Sequence, residues 1–312
     1  MIRFSLIAKF VPVVLVCLLV AAVPAPAQPT DPPAPQNNVV AAVGEDQILL
    51  EHIEKNMPRV PADAPKQAVD RVRRAVLDRL IEAALVSRAL DSLPCSQEEM
   101  ESAKAQVKRK LEGRVPPEAM DEVLKQNGLT DAFFRRQAVF ARLQAEAAGE
   151  EKATEYARAH PAFFDGTQVS ASHILIAADR FAASAEEKEQ AKQKILQIAA
   201  RIRQGEIRFG EAAREHSACP SAAKNGDLGR FAFSDMALPF SETAYALEQG
   251  EVSGVVETRF GYHLIKTTDR VEGDGEFNPE WIRKASQVLM QKLQARLVRE
   301  ALAVTPVRVL MD

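Results

Sequence analysis

The hydrophobic period of this 312-residue chain changes near residue 167, and that change limits the folds open to it. Before it, apolar residues recur at helical spacing. Val69, Val72, Val76, Leu80 and Ala84 fall on one face of a helix. Asp63 is expected to cap that helix, with Pro65 in its first turn. Ser96 and Glu99 are spaced as a capping box for the next one. Thr130 reads as a further N-cap, ahead of Phe133, Phe134 and Phe140 as residues to bury. Residues Glu51 to Ala159 are thus expected to be helical, with surplus apolar faces. Those faces need partners elsewhere in the chain or in another protein.

From Thr167 the pattern is that of strands. "VSASHILI" alternates as a half-buried strand does. A helix is expected to open at Ser184, with Glu187 completing a capping box. Its stripe is Ala191, Ile195, Ile198 and Ile202, and Gly205 ends it. "RFGEAAREHS" is a short helix, followed by a small-residue loop and a strand through Phe231. "PFSETAYALEQG" is a helix stopped at Gly250, and "SGVVETRFGYHLIKTTD" is two strands joined by a tight Arg-Phe-Gly turn. The order β-α-α-β-α-β-β fits an antiparallel-rich sheet with helices packed on it, an α+β domain.

Two pieces remain. "VVAAVGEDQILL" reads as a small hairpin, Val39 to Leu50. After the loop "RVEGDGEFN", a last helix is expected from Pro279 to Ala303, then "TPVRVLMD" as a short strand. A lone helix and strand cannot bury a core. They are expected to return to the first hairpin and helices, leaving the α+β domain inserted between. The expected division is 1–27 a signal peptide, 28–38 a Pro-rich linker, 39–166 a helical domain, 167–270 the α+β domain, and 271–312 the returning helix and strand.

The signal reading rests on Arg3 and Lys9 ahead of an apolar run from Phe10 to Val23, with Ala25-Pro26-Ala27 as the cleavage pattern and Gln28 as the new start. The run is short for a membrane span. An uncleaved anchor is the alternative, and the one route to membrane proximity. Val16 before Cys17 argues against a lipoprotein. Net charge is −3 without a basic patch, so no nucleic-acid partner is indicated. Removing the signal leaves Cys95 and Cys219, which form either a long-range disulfide or, the favoured reading, free thiols.

The chemistry concentrates in "HSACPSAAKNGDLGRF" and two strand histidines. His173 shares a strand face with Val169, Ala171 and Leu175, and His263 with Ile265. Each alone reads as a core histidine with satisfied hydrogen bonds. Cys219 in the same domain admits other readings. It is a thiol nucleophile with a histidine base, a zinc ligand with both histidines, half of a disulfide, or a hydrogen-bond partner. Protease signatures are missing around Cys219, and His216-x-x-Cys219 is a single close-spaced pair, with His216 expected to face solvent. Asp227 between glycines reads as turn chemistry. Phe231 and Tyr262 read as core.

"ASHILI", "HSACPSAAKNGDLGRF" and "LPFSETAYALEQGEVSGVVETRFGYHLIK" resemble the successive motifs of the parvulin family of peptidyl-prolyl isomerases, over Val169 to Arg270. "VVAAVGEDQILLEHIE" and "AVLDRLIEAALVSRAL" resemble more loosely the chaperone part of SurA-like and PrsA-like secretion foldases. The first resemblance implies a parvulin-type fold, with His173 and His263 side by side, Cys219 heading the loop and a strand threonine, Thr258, as the catalytic residues. It implies a proline-ring pocket of Leu228, Met236 and Phe240, with Phe260 beside it, and neither cofactor nor metal. Together the two imply a secreted foldase, with a bacterial periplasm as its location. It would isomerise X-Pro bonds in unfolded or partly folded exported proteins and hold them. The alternative is a peptide-binding chaperone whose parvulin domain is inactive. Two departures stand out. Asn225 replaces a common glycine and tolerates a left-handed backbone. Ser234 stands where the loop usually has glycine, which leaves the local loop path open. Arg180 alone follows His173, so phosphate-directed specificity is not indicated.

Overall fold

The structure is a computed structural model that describes residues 38–61 and 63–311. The signal reading, Cys17 and all but the last residue of the Pro-rich linker lie outside the described residues. The chain divides into two compact units. One takes the described residues up to Glu146 together with those from Lys292; the other is Ala147–Gln291.

The first unit begins with a hairpin of β1 (Val39–Val43) and β2 (Asp46–Leu49), and β7 (Val307–Val309) pairs antiparallel with the other edge of β1. The helices α1 (Leu50–Asn56), α2 (Lys66–Ser92), α3 (Gln97–Leu111), α4 (Met120–Gln126) and α5 (Asp131–Ala148) follow the hairpin. The stripe of α2 is buried at Val76, Leu80 and Ala84, with Leu77, Ile81 and Leu85 beside it. Its start differs from expectation. Pro65 itself occupies the N-cap, with the extended backbone that position wants, and Asp63 makes no cap. The Ser96 box forms: Glu99 N–H donates to Ser96 Oγ at 3.1 Å and Ser96 N–H to Glu99 Oε2 at 2.7 Å. Arginines of α5 tie the helices together. Arg135 donates to the carbonyls of Leu90 and Leu93 at the C-terminal end of α2, where a cation complements the helix dipole. Arg136 grips Asp91 through two bonds of 2.8 and 2.7 Å.

The second unit contains α6 (Glu150–Ala159), β3 (Gln168–Ala177), α7 (Ala185–Arg203), α8 (Phe209–His216), β4 (Asp227–Ala232), α9 (Leu238–Ala246), β5 (Val256–Thr258), β6 (Gly261–Val271) and the first part of α10 (Pro279–Leu302). Its sheet is antiparallel with strand order β4-β3-β6-β5. One face buries Ile174, Ile176 and Leu264 against Ala191, Ile195 and Ile198 of α7 and Phe209, Ala212 and Ala213 of α8. The opposite face buries Val169, Ala171, Phe231 and Ile265 against three helices. Those helices contribute Phe240, Ala244 and Tyr245 from α9, Ala153 and Ala157 from α6, and Trp281, Ala285 and Val288 from α10.

The helix α9 ends at Ala246, short of the expected stop at Gly250. Gly250 instead belongs to the loop laid against β6, where its N–H donates to Thr267 O at 2.7 Å. The two ends of this unit are fastened to each other. Gly275 N–H donates to Asp165 O at 2.9 Å, Gly273 N–H to Thr167 Oγ1 at 2.9 Å, and Ser286 Oγ to Ala148 O at 2.9 Å. A Cβ on Gly273 would stand 2.3 Å from Asp165 O, so the loop "EGDGEF" needs glycine there.

Candidate active site

Strand register brings the histidines together. His173 pairs with Ile265 and Leu175 with His263, so the two imidazoles are diagonal neighbours on one face of β3 and β6. Their Nδ1 atoms lie 3.3 Å apart and the rings stack at 5.5 Å with a 22° tilt. Both are buried, 6% and 4% exposed. Thr258, at the end of β5, sets its Oγ1 2.8 Å from His263 Nε2 and accepts the Phe260 N–H at 3.2 Å.

Counting partners assigns the protons. If Thr258 donates to His263 Nε2, then His263 Nδ1–H donates to His173 Nδ1, and one proton, on His173 Nε2, is left without a partner among the described residues. In the reverse direction His173 Nε2 would be an unpaired acceptor and the Thr258 hydroxyl proton would have no acceptor, two unsatisfied groups in place of one, so the first arrangement is the better satisfied. Burial pushes both histidines down to about 4, His263 also through its neighbour His173. Both rings are therefore neutral at neutral pH. Phe240 stands edge-on to both rings, 5.7 Å from each.

The small-residue loop is clipped to the free edge of β3. Pairing with β4 reaches only Ser172 with Asp227. Beyond it, His173 N–H donates to Gly226 O at 2.9 Å, Leu175 N–H to Ser217 Oγ at 3.0 Å, and Ala218 N–H to Leu175 O at 2.8 Å. A Cβ on Gly226 would come within 2.3 Å of His173 O, so glycine lets the loop lie against the strand that carries the histidine. Asn225 before it adopts the left-handed backbone, φ 59°. Asp227 Oδ1 accepts the Gly229 N–H at 2.9 Å, the turn role read for it.

Cys219 caps the 3-10 turn Pro220–Lys224 and donates its N–H to Ser217 Oγ at 3.3 Å. Its side chain is half-buried, and among the described residues its Sγ makes no hydrogen bond with either imidazole. Both Cys219 and Cys95 are free thiols, so the disulfide reading is set aside. Among the described residues no three His, Cys, Asp or Glu side chains converge as a metal site requires.

Leu228 and Met236 are half-buried and pack on the same apolar cluster as the buried Phe240. Phe260 is placed differently. The residue is 49% exposed, outside that cluster, with the Arg259 guanidinium 4.6 Å from the centre of its ring. Ser234 needs no glycine's freedom. It sits in the 3-10 turn Phe233–Asp235, closed by Ala232 N–H donating to Asp235 Oδ2 at 2.8 Å. His216 departs from expectation. Its side chain is only 17% exposed, with Nε2 3.4 Å from Glu215, because α8 packs it inward at its last turn. Ser217 escaped the sequence reading. A serine two residues before Cys219 is spaced for a hydroxyl turn, and that spacing was the available signal.

The family profile "Rotamase: PPIC-type PPIASE domain" matches residues 173–269. Foldase protein PrsA of Halalkalibacterium halodurans is 31% identical over 255 residues, which is 78% of this chain and 71% of that protein. Chaperone SurA of Thiobacillus denitrificans is 40% identical over 108 residues, 35% of this chain and 24% of its own length. Peptidyl-prolyl cis-trans isomerase Pin1 of Arabidopsis thaliana is 39% identical over 113 residues, 32% of this chain and 95% of its own length.

Proposed function

Because the chain belongs to the parvulin family of peptidyl-prolyl cis-trans isomerases, we propose that X-Pro bonds turn over beside His173 and His263, in a foldase that serves exported proteins. Amide resonance sets a barrier of about 18–20 kcal/mol. X-Pro bonds consequently switch in tens to hundreds of seconds. Lowering that barrier requires no bond to break. Leu228, Met236 and Phe240 grip the proline ring and strip water from the carbonyl before it. Desolvation favours the less polar twisted amide over either planar form.

The observation that carries this reading is the buried line of Thr258, His263 and His173, closed edge-on by Phe240. A neutral, hydrogen-bonded floor offers polar contacts without the desolvation cost of an ion. Cys219 lines the edge of this site as a polar group that a carboxylate could replace. Phe260 contributes its backbone N–H, which orients Thr258, and its ring stands at the rim.

The substrates are unfolded or partly folded exported proteins. The basic and then apolar amino terminus, followed by Ala25-Pro26-Ala27, supports export, and a bacterial periplasm is the location proposed. Holding of clients falls to the helical unit. A groove of about 540 Å³ there has Ala103, Val107, Ala138, Phe140 and Ala141 in its lining. Exchange spectroscopy on short X-Pro peptides tests the catalytic part, and suppression of aggregation tests the holding part. Catalysis with suppression is the expected result. The uncatalysed rate alongside intact suppression would leave a holdase and overturn the isomerase reading.

A further inference from the structure

The family match begins at residue 173 and ends at 269, yet the wall of the pocket leans on residues outside it. Phe163 follows α6 and stacks on Phe233 at 3.9 Å with a 15° tilt. Phe233 opens the 3-10 turn that leads into Met236. Tyr245 meets both rings edge-on, at 5.8 Å from Phe163 and 5.3 Å from Phe233. Its hydroxyl donates to Thr167 O at 2.8 Å. Tyr156 of α6 donates its hydroxyl to Glu242 Oε1 at 3.0 Å. Glu242 lies on α9 two residues past Phe240, whose ring stands against both histidines. The segment from Phe233 to Phe240 is thus fastened at both ends by α6 and the residues just after it.

We infer that Phe163 and Tyr156 are positioning residues for isomerisation, holding Met236 and Phe240 at the proline ring from outside the family-matched stretch. The inference rests on the pocket proposed above. Phe163 acts on the Met236 end through Phe233, and Tyr156 on the Phe240 end through Glu242. Neither touches the substrate. A displacement of order 1 Å from a distant substitution can cost on the order of 10²-fold in rate, so even partial loosening is measurable.

The test uses the full chain and short X-Pro peptides, with kcat and KM resolved separately. Wild-type catalysis is measured first; its absence would sink the pocket reading itself and this inference with it. Phe163→Ala is expected to lower kcat/KM about tenfold, chiefly through KM, because the pocket grips the ring less well. Phe163→Tyr, which keeps the stacked ring, is expected to restore it. Tyr156→Phe removes one hydroxyl and cannot empty the core, so it reports even if Phe163→Ala misfolds; a loss of about threefold is expected. Phe277→Ala is the control. Phe277 packs edge-on to Trp281 at 5.8 Å and under Arg158, with no ring contact to Phe163, Phe233 or Tyr245 among the described residues, and its loss should lower the melting temperature without moving KM. Wild-type KM in folded Phe163→Ala and Tyr156→Phe would overturn the inference. So would a KM rise in Phe277→Ala as large as theirs, since it would make the effect one of general stability.

Discussion

The two faces of the four-stranded sheet are packed with different materials. Against α7 and α8 the sheet buries Ile174, Ile176 and Leu264, matched by Ile195, Ile198, small alanines and a single buried aromatic ring, Phe209. Against α9, α6 and α10 it buries Val169, Ala171 and Ile265 with Phe231, Phe240, Tyr245 and Trp281, and the buried His173 and His263 meet Phe240 edge-on. Aliphatic side chains interdigitate closely and carry no polar atoms, so the first face stabilises without specifying chemistry. Aromatic rings leave edges and faces that polar groups can use. The second face keeps two neutral imidazoles and a threonine bonded in a line. One face anchors the sheet on its helices, and the other carries the polar line.

The contrast can be broken by substitution. Ile195→Ala should cost about 2–5 kcal/mol of stability, because the site cannot fully collapse around the missing atoms. Urea unfolding measures it, and kcat/KM per folded molecule should stay at the wild-type value. A fall in kcat/KM would mean that the aliphatic face also shapes the pocket. Met236→Ala should do the reverse. It is expected to lose about 1–3 kcal/mol of transition-state binding with little change in unfolding midpoint. Unchanged activity in a folded Met236→Ala protein would count against the pocket.

On the way down from neutral pH, acid should act first on the histidine face. Both imidazoles are pushed down to about 4 in the folded protein, against an ordinary value of 6.5. Between those values the unfolded chain takes up protons that the folded one does not. Stability is therefore fully present above pH 6.5 and falls as pH drops towards 4, by up to about 1.4 kcal/mol per pH unit for each histidine. Urea midpoints across that range would show the slope, and a flat profile from pH 7 to 5 would mean that the pair is not buried neutral. Smallest of all, Cys219→Ser should change kcat/KM by less than about threefold, since a thiol is a weak donor and no bond is broken in the reaction. A loss of several orders of magnitude would restore the nucleophile reading.

Period-2 alternation was enough to put His173 beside Ala171 and His263 beside Ile265 on strand faces. The capping boxes at Ser96 and Ser184 were equally legible, since both partners lie three residues apart. What escaped depends on distant partners. The stop of α9 was misplaced because Gly250 answers to Thr267 on β6 and not to its own helix. His216 was expected in solvent, but tertiary packing turns it inward. Ser217, just past the end of α8, matters through Leu175 on β3, and Phe163 through Phe233, seventy residues along the chain. Spacing within a segment cannot announce such contacts.

The bond between Ser286 and Ala148, and those joining Asp165 and Thr167 to the Gly273–Gly275 loop, have an evolutionary consequence. The chain passes into the isomerase unit and out of it at neighbouring points. A segment with adjacent ends can be spliced into a surface connection of another protein without stretching its host or itself. Such a unit is portable, and its fold travels with it.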